Sequence, residues 1–239
     1  MKESFRALAR RYSLHGFHPI EVFGTDDCCG DKQAVQESLR SAAVDIAPIS
    51  RVEPAGGLPP LTFPAGKMPK VIQASSEDSG IASHAISLLI DEAKSAATQL
   101  DIPRISPALG FDAEWEVWTS GPRPVATVQL ATVNGTAVIF HVKYGRKHIF
   151  PAALRRLLER EDILKVGVGV KSDFGRLMKD YGVKARGGLD LAVASRQYLT
   201  SFLGSRSLSA LCTELLQLHL PKTTTVRMSE WEAKLSDEQ

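Results

Sequence analysis

The chain has 239 residues and a mass of 26.0 kDa, enough for one sizeable α/β domain with an appendage rather than two full domains. Hydrophobic residues make up 44% and charged residues 23%, and no apolar run approaches the roughly 18 residues of a membrane-spanning helix, which excludes a membrane-spanning protein. The net charge is only +2, but the residues after position 104 carry 18 Lys and Arg against 14 Asp and Glu, so the positive excess lies in the second part.

The first 68 residues predict a poorly ordered leader ahead of the folded domain. The run DDCCGD and five prolines between positions 48 and 64 show no lasting periodicity. Four basic residues within positions 2–11 would form a short amphipathic helix with Phe5 and Leu8, either a transit peptide or a solvated terminal helix. Glu3 and the shortage of Ser favour the solvated helix.

The number and spacing of the three cysteines indicate the redox state of the compartment in which the protein works. Cys28 and Cys29 are adjacent and Cys212 is distant, so the chain has no disulfide framework and no CxxC pair. We expect a reducing, intracellular compartment, nuclear or cytoplasmic, with a mitochondrial one left open by the N-terminal helix. A zinc cluster of the adjacent cysteines with His15 and His18 is the alternative to an ordinary polar tail, but its spacing matches no usual ligand pattern.

From residue 70 the pattern becomes that of a folded domain. KVIQ at 70–73 predicts a strand, and apolar residues at helical spacing from Ile81 to Ala96 predict a helix, with Ser75 in a capping box before it. A strand and a helix therefore precede the carboxylate-bearing segment described next.

Three antiparallel strands are predicted in succession. LGFDAEW at 109–115 is the first, and VATVQLAT at 125–132 and TAVIFHV at 136–142 are the second and third. Between the last two stands Asn134-Gly135, which predicts a hairpin with a type I′ turn because both residues tolerate positive φ.

The remainder of the chain predicts helices around one buried strand. PAALRRLLERED, beginning at Pro151, is an amphipathic helix, and ILKVGVGV at 163–170 is a short apolar strand. KSDFGRLMKDYGV at 171–183 predicts a helix that starts directly after it. Further helices are predicted at 189–199 and 207–220.

Asp112 and Glu114 stand two residues apart in the first antiparallel strand, so their side chains share a face. Two like charges together are unfavourable unless a cation neutralises them, which indicates a divalent metal; a solvated strand face with an accidental acidic pair is the alternative. Asp173 falls in the first turn of the helix after the fourth strand. In a ribonuclease-H-like mixed sheet flanked by helices, the fourth strand runs beside the first, and the three carboxylates would converge on one pocket.

These segments carry a resemblance to a known family. GFDAEW, VATVQLAT, FHV, KVGVGVKSDFGRL and LDL resemble the DEDD superfamily of 3′-5′ exonucleases, in its Werner-syndrome-type and ribonuclease-D-like branch. The resemblance implies an exonuclease domain over residues 69–239 that hydrolyses a DNA or RNA strand from its 3′ end and releases nucleoside monophosphates. It also implies two Mg²⁺ or Mn²⁺ ions held by four carboxylates.

Carried over residue by residue, the resemblance implies that Asp112, Glu114 and Asp173 are metal ligands and catalytic residues. It implies a last motif, Tyr-x-x-x-Asp, after a segment such as SEWEAKLSDEQ, and the chain stops at Gln239. We therefore expect a C-terminally incomplete domain with a truncated last helix. A catalytically impaired nucleic-acid-binding module of the same fold is the alternative function.

Five further residues have two interpretations each. Trp115 would stack on a base or pack at the rim of the strand, and Arg146 and Lys147 would contact phosphates or merely lie in a solvated loop. His141, at the end of an apolar strand, is expected to be a structural histidine rather than a ligand. Asp190 in LDL resembles a fourth ligand, but we expect a structural hydrogen-bonding role near the sheet edge.

Overall fold

The computed structural model describes residues 57–61, 70–73, 80–99, 106–118, 121–144, 146–198, 205–220 and 229–235. The basic N-terminal helix, the proposed zinc cluster, the Ser75 cap and the chain's C-terminal end lie outside the described residues. The boundary at residues 68 and 69 stays a prediction. Part of the predicted leader is described, however, and it contacts the domain: Leu61 N donates to His219 O (2.6 Å), and His219 N donates to Pro59 O (2.8 Å).

The described residues form ten strands and five helices, and seven of the strands follow one another without a helix between them. The strands are β1 (Lys70–Gln73), β2 (Ala108–Glu114), β3 (Val117–Trp118), β4 (Gly121–Pro122), β5 (Thr127–Ala131), β6 (Ala137–His141), β7 (Lys143–Tyr144), β8 (Lys147–His148), β9 (Leu164–Gly167) and β10 (Gly188–Asp190). The helices are α1 (Ile81–Gln99), α2 (Ala152–Leu158), α3 (Val170–Tyr181), α4 (Leu191–Tyr198) and α5 (Leu208–Leu216).

Six strands form one mixed sheet in the order β1-β6-β5-β2-β9-β10. β2, β5 and β6 are antiparallel neighbours, whereas β9 pairs parallel with β2 and β10 pairs parallel with β9. The predicted ribonuclease-H-like arrangement is therefore confirmed: three antiparallel strands come first, and the fourth long strand returns beside the first. β2, which carries the acidic pair, lies between β5 and β9, near the middle of the sheet.

The β5–β6 hairpin is confirmed, but its predicted turn type is wrong. Thr132 N donates to Thr136 O (2.8 Å), and Gly135 N donates to Thr132 O (3.0 Å). Gly135 has a φ of 84°, while Asn134 is not among the described residues with positive φ. A type I′ turn needs positive φ at both central residues, whereas a longer loop with one left-handed glycine after the turn needs it only once.

Several element boundaries differ from the prediction. Residues 188–190, expected to lie largely in a helix, form strand β10, and helix α4 starts only at Leu191. The last helix ends at Leu216 rather than 220, because Gln217 adopts a left-handed conformation with a φ of 55°. Strand β9 ends at Gly167, since Gly169 turns the chain into α3 with a φ of 82°.

The hydrophobic core is formed by buried side chains of the sheet and of the helices that pack on it. α1 packs on α2 and on β2. Leu154, Leu157 and Leu158 of α2 are buried, as the amphipathic pattern predicts.

In the part of the chain that the structure describes, none of the helices combines the length and the apolar character that crossing a bilayer requires.

Candidate active site

Strand β2 separates an apolar side from an acidic side. Leu109, Phe111 and Ala113 are buried, whereas Asp112 is exposed and Glu114 is half-buried. Side chains alternate along a strand, so the two carboxylates share the less buried side. Because β2 has a neighbour on each edge, the exposure of Asp112 means that this face of the sheet is open to solvent, as a substrate cleft must be.

Asp173 reaches this region because β9 and α3 pack closely against β2. A Cβ atom at Gly167 would overlap the carbonyl oxygen of Phe111, so only glycine allows the two strands this approach. Gly169 then reverses the chain direction, and Asp173 follows in the first turn of α3. Its side chain is only 7% exposed.

The electrostatics show which carboxylates come together. Burial is the largest cause that raises the pKa of Asp173, to about 7. The negative charges of Asp112, Glu114 and Asp190 raise it in the same direction. The structure therefore brings the two predicted carboxylates of β2, and Asp190 as a third, within electrostatic range of the predicted carboxylate of α3.

The donor chemistry of this acidic cluster (Asp112, Glu114, Asp173 and Asp190) fits a hard divalent cation, which carboxylate oxygens prefer and whose charge would relieve their repulsion. Within the described ranges, however, no three His, Cys, Asp or Glu side chains are arranged as a ready metal-holding group. Asp112 Oδ1 accepts a hydrogen bond from the adjacent backbone N of Ala113 (3.0 Å). The assignment of the first three carboxylates as metal ligands stays a prediction.

Asp190 has the hydrogen-bonding role that we expected from the sequence. Its Oδ2 accepts from Gly169 N (2.9 Å), and its Oδ1 accepts from Ala192 N (2.9 Å) and Val193 N (3.3 Å). The contacts to Ala192 and Val193 are those of an N-cap residue for α4. An Asp immediately before a helical pattern is the sequence signal for such a cap. The predicted helix began at residue 189, so it placed Asp190 inside the helix rather than at its N-cap.

Trp115 packs against the core and against a cation. The guanidinium carbon of Arg176 lies 5.0 Å from the centre of the indole ring, and Arg176 also forms an ion pair with Asp180 (3.5 Å). This arrangement agrees with the packing alternative for Trp115. Its stacking on a base stays a prediction.

Arg146 and Lys147 are exposed at the small β7–β8 hairpin. In the sheet, Glu114 pairs with Thr127, and Thr127 pairs with His141. The hairpin follows β6 directly, so it extends from the same end of the sheet as Glu114. The two cations are therefore placed at the same end of the sheet as Glu114, and their contact with phosphates stays a prediction.

A C-terminal segment, residues 229–235, also docks at this end, and the sequence did not predict it. His141 Nε2 donates to the carbonyl oxygen of Trp231 (2.8 Å), and Trp231 is only 3% exposed. Burial lowers the pKa of His141, as expected for a neutral structural histidine. Glu232 forms ion pairs with Arg123 (3.1 Å) and with buried Lys143.

Comparisons with known proteins agree with this geometry. The family model described as 3′-5′ exonuclease matches residues 87–239. The human Exonuclease 3′-5′ domain-containing protein 2 is 35% identical over 132 residues, which cover 54% of this chain and 21% of that protein. The mouse bifunctional 3′-5′ exonuclease/ATP-dependent helicase WRN is 32% identical over 125 residues, which cover 52% of this chain and 9% of that protein.

Solved structures of the EXD2 exonuclease domain are also similar. One is 29% identical, covers 71% of this chain and 78% of the other, and has a TM-score of 0.43. A second, soaked in Mn and GMP, is 29% identical, covers 71% and 80%, and has a TM-score of 0.42.

The chain spans about a fifth of the human relative and about a tenth of the mouse helicase. The family model nevertheless matches well over half of the chain, and it includes all four residues of the acidic cluster. The chain therefore belongs to the 3′-5′ exonuclease family, in the Werner-syndrome-type and ribonuclease-D-like branch of the DEDD superfamily.

Proposed function

We propose that this chain is a metal-dependent 3′-5′ exonuclease that removes nucleoside monophosphates from the 3′ end of DNA or RNA in an intracellular compartment. The domain responsible spans residues 69–239. One observation carries the proposal: burial first, and then the negative charges of three neighbouring carboxylates, raise the pKa of Asp173 to about 7 at an open face in the middle of the sheet. A site built for a neutral ligand would gain nothing from such a concentration of charge.

Asp112, Glu114 and Asp173 would hold two Mg²⁺ or Mn²⁺ ions. When bound, such a pair activates a water and stabilises the leaving 3′ oxygen during in-line displacement at phosphorus. Asp173 supplies a carboxylate whose position is fixed by the first turn of α3 and by burial. Asp112, which is exposed, supplies the carboxylate nearest to solvent and hence to the incoming strand.

The nucleic-acid strand would approach across the end of the sheet where Glu114 lies. Arg146 and Lys147 on the β7–β8 hairpin would contact its phosphates there. The excess of positive charge after residue 104 supports attraction of an anionic polymer in general. Trp115, which lies directly after Glu114 at the end of β2, would border the cleft, where it packs against Arg176.

The experiment is a cleavage assay on single strands of DNA and RNA of one sequence, labelled at the 5′ end, with Mn²⁺ or Mg²⁺. We expect a ladder that shortens from the 3′ end, no ladder with a blocked 3′ end, and no cleavage by Asp112→Ala. The matched control is Asp91→Ala, which removes an exposed carboxylate from α1 and should cleave normally. Chromatography of the products should yield nucleoside monophosphates.

The alternative function, a nucleic-acid-binding module without catalysis, gives a different result in the same experiment. Such a module would bind the strands in a salt-dependent manner but leave them intact at every Mn²⁺ concentration. Absence of both binding and cleavage at low salt would contradict both functions. Equal activity of Asp112→Ala and the unsubstituted chain would contradict the proposed site.

A further inference from the structure

We propose that Asp190 is a positioning residue for Asp173: its carboxylate fixes the turn from which α3 begins and thereby holds Asp173 in the nuclease site. This inference rests on the proposed function for its catalytic consequence. The contact itself is a property of the fold and needs neither substrate nor metal.

The two oxygens of the Asp190 carboxylate serve different elements. Oδ2 accepts from the backbone N of Gly169, 21 residues earlier in the chain (2.9 Å). Oδ1 accepts from Ala192 N (2.9 Å) and Val193 N (3.3 Å) in the first turn of α4. One buried side chain, 7% exposed, therefore ties the start of α3 to the start of α4.

Among the described residues, no second side chain caps the turn at Gly169. Gly169 is the N-cap residue of α3, and α3 has no side-chain cap hydrogen bond of its own. The carbonyl oxygen of Gly169 accepts from Ser172 N (2.8 Å) and Asp173 N (3.2 Å). A hydrogen-bonded path therefore runs from the Asp190 carboxylate through Gly169 to the backbone of Asp173.

Close packing between β10 and α3 brings Asp190 to this turn. Asp190 pairs with Gly167 in the sheet, two residues before Gly169. At Gly188 an added Cβ would lie 2.9 Å from Phe174 Cε2 and 3.0 Å from Val170 Cγ1, so α3 rests almost directly on the β10 backbone. A bulkier residue at position 188 would move α3 away from Asp190.

The contacts also explain why an aspartate stands at this position. Helix α4 alone would be capped equally well by Ser or Asn. Ser has no second oxygen, and Asn would turn its amide donor toward the N–H of Gly169, which also donates. Only a short carboxylate can cap α4 and hold Gly169 at the same time. Because backbone donors occupy both oxygens, we assign Asp190 to positioning rather than to metal binding.

The test uses Asp190→Asn and Asp190→Ser, which keep a cap for α4 but lose the acceptor for Gly169. Two variants are used in case one fails to fold. The matched control is Ser207→Ala, which removes the cap of α5, where Ser207 Oγ accepts from Ala210 N (3.2 Å). The readouts are amide hydrogen exchange across residues 169–173, Mn²⁺ binding by calorimetry, and steady-state cleavage.

We expect both Asp190 variants to accelerate amide exchange at Gly169 and Asp173 by at least about 10-fold, and to weaken Mn²⁺ binding by about 10-fold to 100-fold, as loss of a group that orients a ligand does. The value of kcat should fall while KM for the strand changes less than about twofold. Ser207→Ala should change none of these quantities. Unchanged exchange at residues 169–173 would overturn the inference.

Two other outcomes separate the possible errors. If the Asp190 variants lose one bound Mn²⁺ while amide exchange stays slow, Asp190 is a ligand and the positioning role is wrong. If the unsubstituted chain neither binds Mn²⁺ nor cleaves, the proposed function fails. In that case the exchange comparison, made without metal, still decides whether Asp190 holds the turn.

Discussion

Glu232 forms an ion pair with Lys143, a side chain that is only 2% exposed and stands 89 residues earlier in the chain. Arg123 contacts the same carboxylate through Nε (3.1 Å) and Nη2 (3.2 Å). Burial lowers the pKa of Lys143, and the positive charge of Arg123 lowers it further. The docked segment 229–235 therefore supplies one negative charge beside this buried lysine, and Glu116, whose charge raises the pKa of Lys143, supplies another.

We expect Glu232→Gln to lower the free energy of unfolding by about 1–3 kcal/mol, because it removes the carboxylate that pairs with the buried ammonium group of Lys143 and leaves Glu116 as the negative charge nearby. Urea unfolding at neutral pH measures the change. The control is Glu230→Gln, which removes an exposed carboxylate two residues earlier and should change stability by less than about 0.5 kcal/mol. Equal stability of the two variants would show that the ion pair contributes nothing.

The raised pKa of Asp173 predicts a pH-dependent effect of Asp173→Asn. A carboxyl group whose pKa is higher in the folded chain favours folding when protonated, so the folded state loses stability as the pH rises from about 4 to about 7. Asn removes this loss. Relative to the unsubstituted chain, Asp173→Asn should gain about 1–4 kcal/mol between pH 4 and pH 8, measured by urea unfolding in EDTA.

The control for this prediction is Asp162→Asn. A hydrogen bond from Arg160 lowers the pKa of Asp162, so its substitution should act in the opposite direction and only weakly at this exposed site. A pH-independent difference for Asp173→Asn would mean that neither burial nor the charges of the cluster raise the pKa of Asp173. Addition of Mg²⁺ should shrink the advantage of Asp173→Asn, since a cation would stabilise the charged form.

Substitution of both Arg146 and Lys147 by Ala should weaken nucleic-acid binding and reduce the slope of log affinity against log salt by up to about 2, because each phosphate that a side chain neutralises releases about one counterion. Fluorescence anisotropy with a catalytically dead chain measures both quantities. The control replaces Lys94 and Lys184, which are exposed but lie outside the β7–β8 hairpin. If both double variants lower affinity equally, binding depends on net charge and not on the hairpin.

Two glycine substitutions should have opposite effects. Gly167→Ala should lower the free energy of unfolding by about 1–3 kcal/mol and reduce activity, because the new methyl group would push β9 away from the Phe111 carbonyl of β2. Gly175→Ala, in an exposed and spacious position inside α3, should raise it by about 0.4–1 kcal/mol. Thermal unfolding measures the stability of both variants. Destabilisation by both would indicate that α3 has no room for the methyl group that Gly175→Ala adds.

The sequence was sufficient for most strands of the sheet and for the elements on which Asp112, Glu114 and Asp173 lie. Alternation marked β2, the Asn134-Gly135 pair marked the hairpin, and helical periodicity placed Asp173 in the first turn of α3. These features depend on residues close together in the chain, where periodicity and turn chemistry determine local structure.

The features that the sequence did not reveal depend on distant residues. Strand β10 is too short to show a period, and it exists because it pairs with β9. The ion pair of Glu232 with Lys143 joins residues whose charges would each suit an exposed surface. The link from Asp190 to Gly169 likewise requires knowledge of which strand lies beside which, and no local pattern contains that information.

The strand order of the sheet has a consequence for synthesis of the protein. The β5–β6 hairpin closes through a short loop and can form as soon as it is made, and β2 can then pair with β5. The other edge of β2 must wait for β9, with which it pairs Ala108 to Leu164. Asp112 and Asp173 cannot meet before then, and the anchor at Asp190 emerges later still. The acidic cluster of a growing chain is therefore incomplete until nearly the whole sheet has been translated.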